Sequence, residues 1–422
     1  MSSRKWPGKQ PPRAVIVVLN LPVPDDHRVW AQAEALRDDG AAVTVICPAI
    51  RGRSPGATVI DGVNVVYFRS FEGVGRLGTI VEGTWTTFIS TRTAKRALRR
   101  PGGPRMLQVC NPPDMLFGLL RWARRRGCRT VYDQHDVVPA LAGSRPAFRR
   151  LEPFFLACER RTVDAADVVL TPSEEQAQRL RLVYQRTAIV VRTASIAAQP
   201  PTSQPSAADQ SPSTASPSTS PPTSTSPISP PDRPIVIGYL GVIGEQDGVG
   251  DLLTAVGALR ERGLTGFRVE IAGDGPALAA VRAQAAGQQL DQLVRLRGWL
   301  DPPQITAFLD EIDAMVVPDP DIEFNHYCAM NKVTHAMARG IPVVLRPLRE
   351  NSRLVGGAAV VAEDMTLPAF TDALETMLAL PQSTRDAIGA RLREIFEAEL
   401  AWHSSALRYL EAVSPARLPP SE

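Results

Sequence analysis

Six consecutive apolar residues, Ala14 to Leu19, open the patterned part of the chain, and such a run predicts a strand buried on both faces. Val29, Ala33 and Leu36 then recur at helical spacing, Gly40 stops that helix, and Val43 to Ile46 predicts the next strand. The same alternation returns further on. Met106 to Val109 reads as a strand, a helix follows from about Asp114 to Arg126 with Gly127 closing it, and Thr130 to Tyr132 is the next strand. A helix from about Phe148 to Asp164 and the strand Val168 to Thr171 complete this half. Strands alternating with helices call for a parallel sheet covered on both faces.

The pattern stops from about Ala197 to Pro234, a stretch of Pro, Ser, Thr, Gln and Ala in which Ile228 is the lone large aliphatic residue. Such a composition buries too little surface to offset its ordering entropy. It predicts a disordered linker over 197–234 that divides an N-terminal domain, 1–196, from a C-terminal domain, 235–422. A plain spacer and a regulatory or glycosylated segment are both open readings of it. Beyond it the alternation restarts with the strand Ile235 to Leu240, a glycine-rich turn, and an apolar stripe Val249, Leu252, Leu253, Val256 and Leu259 on one helix face. Arg268 to Ala272, Leu293 to Leu296, Ala314 to Val317, Pro342 to Leu345 and Ala358 to Val361 predict further strands. Two doubly wound α/β domains result, and ligands of such sheets sit at the carboxyl ends of the strands. The cleft between two facing domains is then the default site.

Composition narrows the function classes. With 47 Lys+Arg against 44 Asp+Glu, the formal charge is +3 over 422 residues, too little for a general nucleic-acid footprint. No apolar window reaches the length of a spanning helix, so the chain is expected to be cytoplasmic, with peripheral contact at the inner membrane face as the other possibility. A basic start, Met1 to Arg13, leads into the first apolar run as a secretion signal does, but Asn20, Pro22, Asp25 and Asp26 cut it short with no small-residue cleavage site. Five cysteines and five histidines lie scattered without C-x-x-C or H-E-x-x-H spacing, so neither a disulfide framework nor a bound metal is expected.

Three segments carry candidate chemistry. The turn Gly238-Tyr239-Leu240-Gly241-Val242-Ile243-Gly244, continued by Gly248, lies between a predicted strand and helix, where glycines let backbone approach a phosphate. A tight structural turn is the equal alternative, since the G-x-G-x-x-G placement and the P-loop lysine are missing. Gly273-Asp274-Gly275-Pro276 forms a second strand-to-helix corner. The third segment, Ala329 to Val344, reads as a helix, a Gly340 cap and a buried strand, with Lys332 in its first turn and His335 one turn on.

Met330 to Val344 resembles the donor-binding motif of retaining glycosyltransferases of family 4, which have the GT-B fold of two facing Rossmann-like domains separated by a cleft. Other stretches agree in order: Asp26-His27-Arg28-Val29 with Glu34-Ala35-Leu36, Asn111-Pro112-Pro113-Asp114, Tyr132-Asp133-Gln134-His135-Asp136, Glu159, Asp164 to Asp167 and Ser173. After the linker come Gly241 to Gly248, Gly273 to Pro276, Gly298-Trp299, and Trp402 with Tyr409. The resemblance implies transfer of a sugar from a UDP- or GDP-type donor, with retention of configuration and without a metal or cofactor, to a glycan, lipid-linked or small-molecule acceptor. It places the donor on Gly241, Gly244, Gly273, Gly298, Lys332 and His335, with Lys332 at the diphosphate and His335 beside the ribose. His135 and Asp136 join Lys332 as catalytic candidates, and Asp26, Arg28, Asn111 and Asp114 stand on the acceptor side. It also implies a terminal helix that packs back on the N-terminal domain, where the helical spacing of Trp402, Leu407 and Leu410 reads as core contacts rather than a ligand box.

The chain departs from the family at several of these places. The position of His335 is usually a Glu, Ala140 and Asn351 stand where Glu is common although Glu350 is adjacent, and Gly241 and Asp247 occupy positions often held by Arg and Lys. Hydrogen bonds to charged groups contribute roughly 1.5–3 kcal/mol each. A catalytically silent homologue that serves as partner of another glycosyltransferase is therefore the rival to the enzyme. Asp319-Pro320-Asp321 mimics the metal motif of a different glycosyltransferase fold, but in its Pro-rich loop it reads as a turn. Two basic clusters, Arg96, Arg99, Arg100 and Arg105, and Arg121, Arg124, Arg125, Arg126 and Arg129, read either as solvated helix faces or as contacts to anionic lipid.

Overall fold

A computed structural model describes residues 11–50, 52–71, 73, 75–99, 105–145, 148–195 and 233–414. Apart from Arg233 and Pro234, the expected linker lies outside the described residues, as do Arg100 and the first ten residues.

The first sheet contains β1 (Arg13–Val17), β2 (Ala42–Pro48), β3 (Gly56–Ile60), β4 (Val63–Phe68), β5 (Arg105–Cys110), β6 (Arg129–Asp133), β7 (Val168–Thr171) and β8 (Ile189–Val190). Their spatial order is β3-β4-β2-β1-β5-β6-β7-β8, parallel throughout except for the β3–β4 hairpin. The helices of this half are α1 (His27–Asp38), α2 (Gly75–Arg99), α3 (Phe117–Arg124), α4 (Val138–Ser144), α5 (Glu152–Ala165) and α6 (Glu174–Tyr184). The uniform apolarity of the first strand has its reason here. Ala14, Ile16 and Val18 enter the core shared with Val29, Ala33 and Leu36 of α1, while Val15 and Val17 enter the opposite core with Ala94 and Leu98 of α2 and Leu119 and Leu120 of α3.

The second sheet contains β9 (Ile235–Leu240), β10 (Phe267–Ala272), β11 (Val294–Gly298), β12 (Ala314–Val317), β13 (Val343–Leu345) and β14 (Val360–Val361), in the all-parallel order β11-β10-β9-β12-β13-β14. It is covered by α7 (Val249–Glu261), α8 (Leu278–Gly287), α9 (Pro302–Glu311), α10 (Glu323–Tyr327), α11 (Asn331–Arg339), α12 (Arg349–Val355), α13 (Leu367–Ala379) and α14 (Gln382–Ile395). The last helix, α15 (Trp402–Val413), leaves this domain and joins the first. Tyr409, Leu410 and Val413 sit in the core of the N-terminal sheet, and Tyr409 Oη donates to Gln108 Oε1 at 2.8 Å.

Several expectations shift. The helix expected from Asp114 begins at Phe117, because Asp114 turns its carboxylate into the protein to accept the Tyr132 hydroxyl. The helix expected from Phe148 begins at Glu152, with Pro153 in its first turn and a 3₁₀ turn before it. Leu407 is 45% exposed instead of forming a core contact. The hairpin β3–β4 and helices α2 and α6 were not foreseen, the hairpin because most of β3 is exposed and shows no alternation. No helix among the described residues is long and apolar enough to cross a membrane.

Candidate active-site cleft

Both sheets turn the carboxyl ends of their strands toward one cleft, of about 260 Å³, lined by residues of both domains. From the first domain come Asp26, His27 and Arg28 at the start of α1, His135 and Asp136 after β6, and Gln176 of α6. From the second come Cys328, Ala329, Asn331 and His335 at and near the start of α11. Contacts beside the cleft join the halves: Ser173 Oγ donates to Tyr327 O at 2.7 Å, Arg349 Nε donates to Glu175 Oε2 at 3.1 Å, and Arg192 pairs with the fully buried Glu350.

Asp133, at the end of β6, organises the N-terminal wall. It accepts from Arg28 Nη2 at 2.6 Å, Arg28 Nε at 3.1 Å, Gln32 Nε2 at 2.8 Å and Gln108 Nε2 at 3.4 Å, and lies 3.2 Å from His135 Nε2. Burial favours the protonated carboxyl, but the Arg28 guanidinium and His135 overcome it and hold Asp133 well below the usual carboxylate range. Burial likewise disfavours a charged His135, and the Asp133 carboxylate reverses this and raises the imidazole well above its ordinary value. Asp133 thus favours the protonated form of His135, which lines the cleft. Asn111 fixes the loop that carries it, since its Oδ1 accepts the His135 and Asp136 amides at 2.6 and 3.1 Å and its Nδ2 donates to Asp136 O at 2.7 Å.

The expected acceptor-side residues therefore divide. Asp26 lines the cleft and also caps α1, accepting Val29 N at 3.0 Å. The Arg28 guanidinium is committed to Asp133 and Val191 O. Asn111 lies behind the cleft as a loop clamp, and Asp114 stands outside it between Tyr132 and Thr162, where burial pushes its carboxyl up to about 7. Cys110, Asp133 and His135 offer ligand atoms within 4.8 Å of one another. The Asp133 oxygens already accept from Arg28, Gln32 and Gln108, so the carboxylate fits the guanidinium better than an ion.

On the opposite wall, His335 is buried with Nδ1 lacking a partner, and burial pulls its imidazole down to about 4, so it is neutral at pH 7. Lys332, on the same helix, is turned away into the domain. Its Nζ donates to both oxygens of Asp319 at 2.9 and 2.8 Å and lies 4.7 Å from the Tyr239 ring centroid. Asp319 is thus half of a buried ion pair and does more than make a turn. Burial pushes its carboxyl up, and also lifts Asp247 to about 6, with Lys332 opposing both. The turn amides expected to meet a diphosphate are engaged too: Gly241 N donates to Ala272 O at 3.0 Å and Gly244 N to Asp247 Oδ2 at 3.0 Å.

The glycines have a steric reason of their own. A Cβ on Gly273, at φ +148°, would lie 1.8 Å from Gly241 O, and one on Gly248, at φ +69°, would lie 2.2 Å from Pro318 O. The loops after β9, β10 and β12 pack backbone against backbone, so Gly248 and Gly273 are required there for close approach. Gly298, at φ +74°, has open space around its Cβ position. Sequence reasoning gave no role to His27, Gln176, Asn331 or Asp133: Gln176 lies outside the family-like stretches, and the other three lie within them but their spacing along the chain does not show which partners they meet.

Two facing Rossmann-like domains with a shared cleft define the GT-B class. Residues 27–192 match the family model Glycosyltransferase Family 4, and residues 234–379 match Glycosyl transferases group 1, so each half of the chain falls within a glycosyltransferase family. A protein of Escherichia coli strain K12 assigned to colanic acid biosynthesis as the glycosyltransferase WcaL is 31% identical over 122 residues, 28% of this chain and 29% of that protein. The chain thus matches less than a third of that relative's length. Sucrose-phosphate synthase from Thermosynechococcus elongatus shares the fold with a TM-score of 0.72 at 15% identity, over 94% of this chain and 97% of that one. WaaG, a glycosyltransferase involved in lipopolysaccharide biosynthesis, does so with a TM-score of 0.65 at 12% identity, over 95% and 99%. An E. coli trehalose-6-phosphate structure bound with UDP-2-fluoro glucose gives 0.66 at 13%, over 97% and 100%.

Proposed function

We propose that the chain transfers a sugar from a UDP- or GDP-sugar to a glycan, lipid-linked or small-molecule acceptor in polysaccharide assembly, with retention of configuration and no resident metal or cofactor. The observation that carries this reading is a cleft between two glycosyltransferase-family domains, with His135 paired to the buried Asp133 on one wall and a buried His335 with an unpartnered Nδ1 on the other. Breaking a glycosyl phosphate bond leaves negative charge on the departing diphosphate. A fixed positive group in a water-poor cleft stabilises that charge without reorganisation at the moment of reaction. Asp133 favours the protonated, positively charged form of His135, and Asn111 fixes its loop. Asn331 opens α11 at the cleft, and the partial positive charge of that helix end favours an anion there. His335, neutral and lacking a partner at Nδ1, is suited to a hydroxyl of the donor. Lys332 would join only after leaving Asp319.

Thermal melting with UDP, GDP, ADP or dTDP at millimolar concentration, each with and without sugars, tests the reading. A ligand at 100 times its Kd adds about 2.7 kcal/mol, and one nucleotide is expected to raise the melting temperature clearly. Release of that nucleotide from its sugar donor, abolished in His135→Ala, is the activity expected, and the anomer of the product, read by NMR, checks retention. If no nucleotide shifts the melt, the reading fails and the catalytically silent partner of another glycosyltransferase takes its place.

A further inference from the structure

We propose that the outer face of α2 docks the protein on an anionic membrane surface. The inference rests on α2 and its neighbours and is independent of the reaction proposed for the cleft. Thr86, Ser90, Ala94 and Leu98, spaced four apart, form the buried face of the helix. On the opposite face Val81, Trp85 and Phe88 are 54, 39 and 59% exposed. Arg92, Arg96 and Arg99 continue the same line and are exposed as well. At 100° per residue these six fall within a sector of about 80°, along about 27 Å of helix. The face is therefore apolar at its N-terminal end and basic at its C-terminal end.

Single exposed apolar side chains are ordinary, but three neighbouring large ones on one stripe form a patch. Trp85 Nε1 donates to Arg69 O at 2.9 Å, so its polar atom is satisfied within the protein while the ring remains part of the surface. The basic end extends onto the next helix, where the Trp122 ring is approached by Lys95 at 5.5 Å, Arg99 at 6.0 Å and Arg126 at 4.4 Å. Glu82 is the single acidic residue in the α2 sequence, sits about 100° round the helix from Val81, and accepts the Gly73 amide. An isologous contact with a second copy would bring no carboxylate from this helix face to meet the arginines. An acidic headgroup layer neutralises them, and the acyl boundary accepts the indole and phenyl rings.

The orientation suits such docking. α2 follows β4 and precedes β5, both parallel strands of the sheet, so its apolar end lies at the carboxyl edge where the cleft opens. Cosedimentation with phosphatidylcholine vesicles, made with and without phosphatidylglycerol, tests the proposal on the full chain. The protein is expected to pellet with the anionic vesicles, not with the neutral ones, and less at high salt. Each arginine near such a surface contributes about a fivefold factor, so Arg92→Gln with Arg96→Gln is expected to weaken partitioning about 25-fold. Val81→Asp with Phe88→Asp is expected to abolish pelleting. All four positions are exposed, and unchanged melting of the variants checks that they fold. Pelleting that is absent, indifferent to phosphatidylglycerol, or equal in the variants overturns the proposal, as does a dimer in sedimentation velocity that Val81→Asp with Phe88→Asp dissociates.

Discussion

Replacing Asp319 by Asn isolates the role of Lys332. Both side chains are buried, and the lysine donates to both carboxylate oxygens, so the amide leaves a buried ammonium without its counter-charge. Removing one partner of a buried pair costs about 3–5 kcal/mol. For a domain of about 180 residues the unfolding entropy is about 0.4 kcal/mol per degree, so the melting temperature is expected to fall by about 10 °C. A diphosphate that uses Lys332 has to displace Asp319 in the native protein, but in Asp319→Asn it meets an ammonium already free. One hydrogen bond to a charged group is worth roughly 1.5–3 kcal/mol, which predicts about 10- to 100-fold tighter nucleotide binding by the variant. Differential scanning fluorimetry, and titration calorimetry with whichever nucleotide raises the melting temperature, read both quantities. The double variant Asp319→Leu with Lys332→Met removes both charges and is expected to regain most of the stability. Unchanged melting of Asp319→Asn would refute the structural role of the pair. Lower melting without tighter nucleotide binding would instead remove Lys332 from the diphosphate site.

Two further outcomes follow from the same geometry. Gly273→Ala drives a Cβ into Gly241 O and is expected to cost at least about 3 kcal/mol in urea unfolding, whereas Gly298→Ala, with open space, is expected to cost only the left-handed backbone strain of about 1 kcal/mol; equal costs would contradict the packing of the loops. His335 is held at about 4, so the unfolded chain binds the proton more tightly and stability falls as pH drops from about 6.5 toward 4. This one group is expected to cost about 2 kcal/mol between pH 7.5 and pH 5, and His335→Gln should lack that part of the slope when unfolding free energies at the two pH values are compared.

Much of the fold was readable in the residues because a buried parallel strand and an amphipathic helix each leave a local periodicity. Ile235 to Leu240 and Ala314 to Val317 are strands with the expected bounds, and the α7 stripe from Val249 to Leu259 is buried. The order of loose motifs also led to the GT-B architecture. Where locality failed, the prediction failed with it. β3 is an exposed strand held by its hairpin partner, and the start of α3 depends on where the Asp114 carboxylate goes.

The candidate site was legible as residue types and only partly as roles. His135, Asp136, Asp26 and His335 do meet in one cleft, because the loops at the carboxyl ends of both sheets converge there. What each side chain does was set by partners distant in sequence. Arg28 is committed to Asp133, 105 residues away, and Tyr409 reaches Gln108 across 301. Lys332 has a carboxylate within 13 residues, yet only the packing of the β12 loop against α11 makes Asp319 its partner. Backbone pattern is written in neighbouring residues, since hydrogen bonding and apolar spacing repeat every two or 3.6 positions. The charge state and freedom of a buried group depend on which other groups the closed fold brings within a few ångströms, and no spacing along the chain encodes that distance.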